Sequence, residues 1–393
     1  MLVGAILMLS GVLGLGGLFS VHQTTGGPEA AVYNDEYTTA PMPQLTRRTP
    51  LFPGSDPFVV VGSMTAARAH HTATLLFDGK VLLAGGEDEL GRPLDSAELF
   101  DPATDTFSPT GSLNGARAYH TATMLNDGQV LIAGGRDQTG RPLATAELYD
   151  PKQGIFTTTG SMAANRVNAA AAGLFDGRVL VAGGSDGQPL ATAEVYEPGS
   201  GRFFSVGSLS VPRESPSAAK LRDGRILIGG GNALSDAIPT AELFDPATGA
   251  FSTTGSMTDA RFAASSCLLA DGRVLILGGR ANPYNAIDSV ETYDPTTGRF
   301  EPDGNLDEAR AYATVTALAD GTVLVTGGLA DDGSPMAGVE LFVPNAGRSW
   351  SLGAMVTPRA GQTATMLQDG RVLIAGGNDQ AVGSTATAEV YQT

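Results

Sequence analysis

One nine-residue segment recurs seven times and constrains the fold more than any other feature of the chain. Its clearest copy is Asp127–Gly135, and related copies begin at Asp78, Asp176, Asp223, Asp271, Asp320 and Asp369. A turn dipeptide, a short apolar run and a glycine pair are typical of one β-hairpin. Seven copies at nearly constant spacing predict a repeat array rather than an ordinary domain.

Each unit of the array predicts four short strands. The units align on an arginine that is followed by a first strand, the Asp-Gly turn, a second strand ending at Gly-Gly, and a variable loop. A third strand carrying a glutamate comes next, then an Asp-Pro turn and a fourth strand that starts at Phe or Trp. The recurring arginine is Arg68, Arg117, Arg166, Arg213, Arg261, Arg310 and Arg359.

The same motifs resemble kelch repeats. The glycine pair, the downstream glutamate and aromatic residue, the Asp-Pro turn and the later Phe or Trp carry this resemblance from Phe58 to Tyr391. It implies an all-β fold: a seven-bladed kelch β-propeller with four-stranded antiparallel blades and the first strand of each blade nearest the axis.

The ends of the array predict how the ring closes. The seventh unit stops at Tyr391 after its third strand, and Phe58–Met64 matches the fourth-strand segment Phe251–Met257. We therefore expect Phe58–Met64 to supply the outer strand of the last blade. Residues 58–393 form the propeller in this prediction.

The residues before the array give two further predictions. Leu2–Val21 is an apolar run without charge, which favours a signal peptide or a membrane anchor over residues 1–21. Residues 22–57 are rich in Thr, Pro and Gly and predict a flexible linker. Both features predict an exported protein, periplasmic, secreted or at the cell surface, with a possible membrane tether through residues 2–21.

Charge and cysteine content narrow the possible partners. The net charge of −17 disfavours nucleic acid and anionic membrane surfaces, because both require cationic patches. The single cysteine, Cys267, excludes an internal disulfide and falls in an apolar strand, so we expect a buried thiol. We expect a monomer.

The variable loops predict the position of a binding site. The short Asp-Gly and Asp-Pro turns lie on one face of a propeller, whereas the loops after Gly-Gly and those that carry the repeat arginine lie on the other, which we call the variable-loop face. Function usually lies on variable loops held by a rigid scaffold.

Two sets of residues on this face are candidates for ligand binding. The position two residues after each arginine changes from blade to blade, and we predict ligand contacts at His70, Tyr119, Asn168 and Tyr312. The arginines form the second set, represented by Arg68, Arg117 and Arg310. Their regular recurrence, matched by seven glutamates, equally fits a structural role.

Enzymatic alternatives find little support in the residues. The resemblance extends to copper-radical oxidases, including galactose oxidase. Their site needs two Tyr, two His and a Cys cross-linked to a Tyr. In this chain Cys267 belongs to blade five, whereas the histidines of the array, His70, His71 and His120, belong to blades one and two. Kelch sugar mutarotases use acid and base side chains at the mouth, for which Glu87, Asp137 and Asp332 are available. Asp331-Asp332-Gly does not follow an established calcium pattern.

The sequence therefore predicts a non-catalytic exported scaffold for a protein or polysaccharide ligand, without a metal or another cofactor. The alternative is a carbohydrate-active enzyme on the same fold, either mutarotase-like or galactose oxidase-like.

Overall fold

The computed structural model describes residues 57–234, 236–379 and 383–392. These residues form β-strands, turns and loops, with no α-helix among them. Thus no helix of the described part is long and apolar enough to cross a bilayer. The predicted leader (1–21) and linker (22–57) lie outside the described residues, apart from Pro57.

Seven four-stranded antiparallel sheets make up the molecule, as the repeat pattern predicts. The strands of blades one to three, in chain order, are Thr72–Leu75, Val81–Ala84, Ala97–Asp101 and Thr106–Pro109; Thr121–Met124, Val130–Ala133, Ala146–Asp150 and Ile155–Thr158; Ala170–Gly173, Val179–Ala182, Ala193–Glu197 and Arg202–Ser205.

Blades four to seven repeat this order, and the outer strands of blades four to six are longer. The strands are Ser217–Lys220, Ile226–Gly229, Thr240–Asp245 and Ala250–Ser256; Ser265–Leu268, Val274–Leu277, Ser289–Asp294 and Arg299–Asn305; Thr314–Ala317, Val323–Thr326, Met336–Val343 and Arg348–Arg359; Thr363–Met366, Val372–Ala375, Ala388–Tyr391 and Phe58–Val60.

The blades are arranged in a ring around a central channel. The first strand of each blade contacts the first strand of the next, and that of blade seven contacts that of blade one. Seven apolar clusters, one between each pair of neighbouring blades, form the core. The Val-Leu-x-Ala second strands are buried along their whole length because both faces of each sheet are covered.

The N-terminal strand pairs with the C-terminal one in blade seven. Phe58 is opposite Tyr391 and Val60 is opposite Glu389. The regular strand spans Phe58–Val60, shorter than the predicted Phe58–Met64, although the Met64 amide still donates a hydrogen bond to the carbonyl of Ala386 at 2.9 Å.

Three small hairpins on the variable-loop face have no counterpart in the predicted strands. Each follows a Gly-Gly pair, in blades four, five and seven. Their paired strands are Asn232–Ala233 with Asp236–Ala237, Arg280–Asn282 with Asn285–Ala286, and Asn378–Asp379 with Gly383–Ser384.

Candidate functional site

The repeat arginines lie inside the blades rather than on a surface. Arg68, Arg117 and Arg310 have exposed fractions of 0%, 1% and 0%. Arg117 shows the pattern common to all seven: Nη1 donates to the carbonyl oxygens of Gly134 and Thr145, each at 3.0 Å, and Nη2 donates to Oε1 of Glu147 at 2.7 Å.

The partner glutamate anchors the loop that carries the arginine. The Glu147 carboxylate also accepts hydrogen bonds from the backbone N–H groups of Asn114 at 2.7 Å and Gly115 at 3.2 Å. Each arginine–glutamate pair therefore ties the incoming loop to the second and third strands of its blade. A ligand would reach Arg68, Arg117 or Arg310 only by displacing these hydrogen bonds, so the geometry supports a structural role for the arginines. Ligand binding by these three arginines remains a prediction.

The position two residues after each arginine combines a uniform backbone with varied side chains. All seven residues are left-handed, with φ of 54° at His70, 57° at Tyr119, 58° at Asn168, 51° at Ser215, 51° at Ala263, 55° at Tyr312 and 66° at Gly361. This conformation is unfavourable for residues with a Cβ. It recurs in residues of six different types, so the fold imposes it.

Backbone hydrogen bonds between blades explain the shared conformation. The N–H of Tyr119 donates to the carbonyl of His70 at 3.1 Å, and Tyr312 donates likewise to Ala263 at 3.0 Å. Six such bonds link equivalent residues of successive blades around the mouth of the channel. The backbone here is scaffold, and the side chains are free to differ.

Side chains of blades one and two fill one side of the mouth. The rings of His70 and Tyr119 stack 4.4 Å apart, and His70 covers Gly361, where a Cβ would clash with its ring. The hydroxyl of Tyr119 donates to Oε2 of Glu87 at 3.2 Å, and the Arg136 guanidinium lies 4.7 Å from the ring centroid. His70 and Tyr119 are buried, at 3% and 2% exposed.

Glu87 and Arg136 form an ion pair between blades one and two. Nε of Arg136 donates to Oε1 of Glu87 at 2.9 Å, and Nη2 bonds to the same oxygen. Burial raises the pKa of Glu87, and the hydrogen bonds from Arg136 and Tyr119 oppose this rise. Arg136 remains 31% exposed and presents one edge of the pair to solvent.

The opposite side of the mouth changes from polar to apolar. Asn168 Nδ2 donates to Oε1 of Glu214 at 2.9 Å, and burial raises the pKa of Glu214. Beyond Glu214, Phe262, Tyr312 and neighbouring apolar residues form a cluster, and burial raises the pKa of Tyr312. The mouth therefore has carboxylates at blades one and four, and an apolar cluster at blades five to seven with the buried Arg280 beside it.

Behind the mouth, the channel contains a cavity of about 50 Å³. Small side chains of the first strands of blades three to six line it, among them Ala171, Ala218 and Ser266. A cavity of this size holds a few water molecules rather than a sugar ring.

The loops above the mouth carry exposed side chains of several kinds. Leu90, Leu234 and Tyr284 are 75%, 70% and 78% exposed. Asp137 and Asp332 are exposed acids, and hydrogen bonds lower the pKa of each. The largest effect comes from the hydroxyl of Thr139 on Asp137 and from the hydroxyl of Ser334 on Asp332. The variable-loop face thus offers both apolar and acidic groups.

The histidines and the cysteine occupy separate structural positions. His71 Nε2 lies 3.1 Å from Thr363 Oγ1, and His120 Nε2 lies 3.0 Å from Thr72 Oγ1. Burial lowers the pKa of His120 to about 3 and raises the pKa of Cys267 to about 12. Cys267 packs in the cluster between blades five and six. These positions do not fit the Tyr, His and Cys set of a copper-radical oxidase.

The described ranges hold no group of three His, Cys, Asp or Glu side chains that could bind a metal ion.

The residue that follows each Gly-Gly pair belongs to a set that the sequence did not single out, although Glu87 alone was named as a possible acid or base group. It pairs with the residue after the repeat arginine, as Glu87 does with Ala69. It is a second once-per-blade position without a fixed residue, and that irregularity is the signal that could have identified it. The seven residues are Glu87, Arg136, Ser185, Asn232, Arg280, Leu329 and Asn378.

Seven four-stranded blades in a ring define a β-propeller. The Kelch motif model matches three consecutive repeats, at residues 68–114, 116–163 and 166–210. The chain is therefore a kelch-repeat β-propeller, as its motifs predicted.

A solved structure shares the fold at low sequence identity. It is described as a novel fungal alcohol oxidase with catalytic diversity among the AA5 family, in complex with copper. The TM-score is 0.69 at 17% identity, over 86% of this chain and 75% of the oxidase chain. This likeness concerns the fold alone. A comparison with curated proteins found no match.

Proposed function

We propose that this kelch propeller is an exported, non-catalytic scaffold that binds a protein or polysaccharide on its variable-loop face. A kelch propeller is in general a framework for binding. One observation carries the finer proposal: the mouth repeats its backbone in every blade and varies its side chains, whereas the arginine–glutamate pairs repeat both. Variable groups on a rigid frame are the arrangement expected of a recognition surface.

We infer different roles for the buried and the exposed residues of this face. His70, Tyr119, Asn168 and Tyr312 form the floor of the mouth, and the exposed loops above them supply the first contacts with a large ligand. A floor of buried, hydrogen-bonded side chains holds the loops in position, which lowers the entropy cost of binding.

The enzymatic alternative has weaker support. Of the proposed acid and base groups, Glu87 is buried and bonded to Arg136 and Tyr119, whereas Asp137 and Asp332 lie apart on exposed loops. A mutarotase-like reaction needs an acid and a base on opposite sides of one sugar ring, and these residues do not converge on such a space.

A binding comparison tests the proposal. The wild-type protein, immobilised, is expected to capture a ligand from the native envelope or medium, or to bind members of a glycan array. A double variant, Glu87→Asn with Arg136→Ser, removes both charges of the mouth pair at once, so that neither is left unpaired. Asn and Ser are residues that other blades carry at this position, as at Asn232 and Ser185.

We expect the double variant to keep its melting temperature within a few degrees and to retain about tenfold less ligand. The control is Arg178→Ala on the opposite face, which should bind as the wild type does. Equal capture by all three proteins would overturn the proposed location. Acceleration of galactose anomer interconversion, measured by polarimetry, would overturn the non-catalytic assignment.

A further inference from the structure

Two hairpins on blades four and five form a raised ledge with apolar tips. The strand Asp236–Ala237 of one hairpin lies against the strand Arg280–Asn282 of the other. Leu234 at the first tip is 70% exposed and Tyr284 at the second is 78% exposed. Two large apolar side chains exposed on adjacent hairpins are typical of an interaction surface. We call residues 232–237 and 280–286, without Ser235, the ledge.

The backbone of Leu234 has a strained, left-handed conformation, whereas most other blades place a glycine in the corresponding loop. Leu234 has φ of 69°, whereas the post-Gly-Gly loops of five other blades carry a glycine with positive φ. Glycine adopts this conformation without cost, and a leucine does not. Four of those glycines, such as Gly91 and Gly140, have open space around them, so a side chain is not excluded by packing. Stability therefore gives no reason for an exposed leucine at this tip.

Acidic side chains surround the ledge. Asp236, Asp259, Asp288, Asp331 and Asp332 lie on it or on the loops beside it. The basic residues of these loops are inward: Arg261 and Arg310 pair with buried glutamates, and Arg280 is 6% exposed, with Nη2 donating to the Ala330 carbonyl at 2.9 Å. The surface near the tips is therefore anionic.

The same imbalance extends over the whole variable-loop face. Leaving aside the seven arginine–glutamate pairs, its loops carry four basic side chains, namely Arg92, Arg136, Arg141 and Arg280. They carry fifteen acidic ones, namely Glu87, Asp88, Glu89, Asp95, Asp137, Asp186, Glu214, Asp236, Asp259, Asp288, Asp307, Glu308, Asp331, Asp332 and Asp379. On the opposite face, by contrast, many turn aspartates are paired with arginines, as Asp176 is with Arg178.

We propose that the ledge docks a protein segment that combines Lys or Arg with apolar side chains. Leu234 and Tyr284 contact the apolar residues of this segment, and the surrounding aspartates attract its cations. A neutral polysaccharide would gain nothing from this charge, and a second copy of this acidic chain would be repelled. The inference rests on the proposed binding function and names the chemistry of the partner.

Fluorescence anisotropy with a labelled peptide of Lys, Leu and Ser tests the proposal. We expect Leu234→Gly and Tyr284→Ser each to weaken peptide binding about tenfold, the effect of losing one large apolar contact. Leu234→Gly relieves the strained backbone, so its melting temperature should not fall and unfolding cannot explain lost affinity. The matched control is Phe77→Ser, which removes a side chain that is 68% exposed on the opposite face, and it should leave affinity unchanged.

Matched peptides separate the two parts of the recognition. A peptide with Glu in place of Lys should not bind, one with Ser in place of Leu should bind more weakly, and added NaCl should weaken the wild-type interaction. Equal affinity of the Leu234→Gly, Tyr284→Ser and wild-type proteins would overturn the proposal, as would absence of binding at low salt. If the captured ligand or an arrayed glycan binds independently of the ledge but needs Glu87 and Arg136, the proposed function stands and the ledge inference fails.

Discussion

At the residue scale, the buried arginine–glutamate pairs are the strongest candidates for individual stabilising interactions. Arg117 donates four hydrogen bonds from Nη1 and Nη2 to Gly134, Thr145 and Glu147, and it is 1% exposed. Such a pair costs desolvation energy that its hydrogen bonds offset, so removing one partner leaves a buried charge without compensation.

We expect Arg117→Ala to lower the free energy of unfolding by about 3–5 kcal/mol, measured by urea denaturation. Arg178→Ala, which breaks a pair with Asp176 at 35% and 47% exposure, should cost less than about 1 kcal/mol. A loss below about 1 kcal/mol for Arg117→Ala, together with lost ligand binding, would indicate a binding arginine instead of a structural one.

His120 makes a pH-dependent contribution to stability. Burial lowers its pKa to about 3, while the unfolded chain titrates near the ordinary value of 6.5. Because the unfolded state then binds more protons, the free energy of unfolding falls as pH drops from about 6.5 towards 3, by up to about 1.4 kcal/mol per pH unit. Urea denaturation of His120→Gln should show a shallower decline over this range.

The choice of glutamine comes from the repeat itself, since Gln362 occupies the equivalent position in blade seven. An unchanged slope between pH 6 and 4 in the variant would contradict the assignment of this pH dependence to His120.

At the scale of the single element, the glycine pair explains why every blade has the same mouth. Gly134 has φ of 69°, and a Cβ there would lie 2.5 Å from the carbonyl oxygen of Arg166 in the next blade. We expect Gly134→Ala to destabilise the protein by about 3 kcal/mol or more, measured by thermal and urea denaturation, because the backbones would have to separate.

Gly140→Ala is the matched control, because Gly140 also has a positive φ, of 79°, but a Cβ there would meet nothing within 4 Å. It should cost about 1 kcal/mol from backbone strain alone. Similar losses for Gly134→Ala and Gly140→Ala would show that conformation, and not the close approach, accounts for the recurring pattern of glycines along this chain.

The same elements show what a sequence can and cannot reveal. Asp127-Gly128 and Gly134-Gly135 are sufficient to place a hairpin, since turn chemistry is local. The Glu87–Arg136 pair joins residues 49 positions apart, and only the packing of neighbouring blades brings them together. The left-handed backbone at Tyr119 and Tyr312 was hidden because tyrosine does not favour it and tertiary hydrogen bonds impose it.

Blade six illustrates a further departure from the repeat. Gly338 replaces the Ser or Thr found two residues before the glutamate in the other six blades, and Glu308 instead contacts Arg310 at 3.2 Å. A groove of about 510 Å³ opens there beside Met336 and Ser351. The repeat pattern predicts the features common to all blades. The contact between Glu308 and Arg310 is particular to blade six and depends on how its side chains pack.

At the scale of the whole molecule, Phe58–Val60 joins the two ends of the array in one blade. Phe58 is 5% exposed and packs 5.5 Å from the ring of Tyr391, and Met64 enters the cluster between blades one and seven. We expect a chain beginning at residue 65 to lose at least about 3 kcal/mol relative to one beginning at residue 57, measured by denaturation, because buried contacts and strand pairing are both removed.

Replacing Val59 and Val60 by Ser provides the control for this truncation. Both side chains are exposed, at 41% and 56%, so the substitutions should change stability by less than about 0.5 kcal/mol. A truncated chain that melts like its parent would contradict a stabilising role of this strand in ring closure.

Hydrogen exchange monitored by mass spectrometry, with and without the captured ligand, tests most directly whether recognition belongs to the variable-loop face. We expect new protection in the loops after Gly-Gly, above all at residues 87–95, 232–237 and 280–287, and none in the Asp-Gly and Asp-Pro turns. Protection concentrated in those turns, with the loops unchanged, would contradict the account.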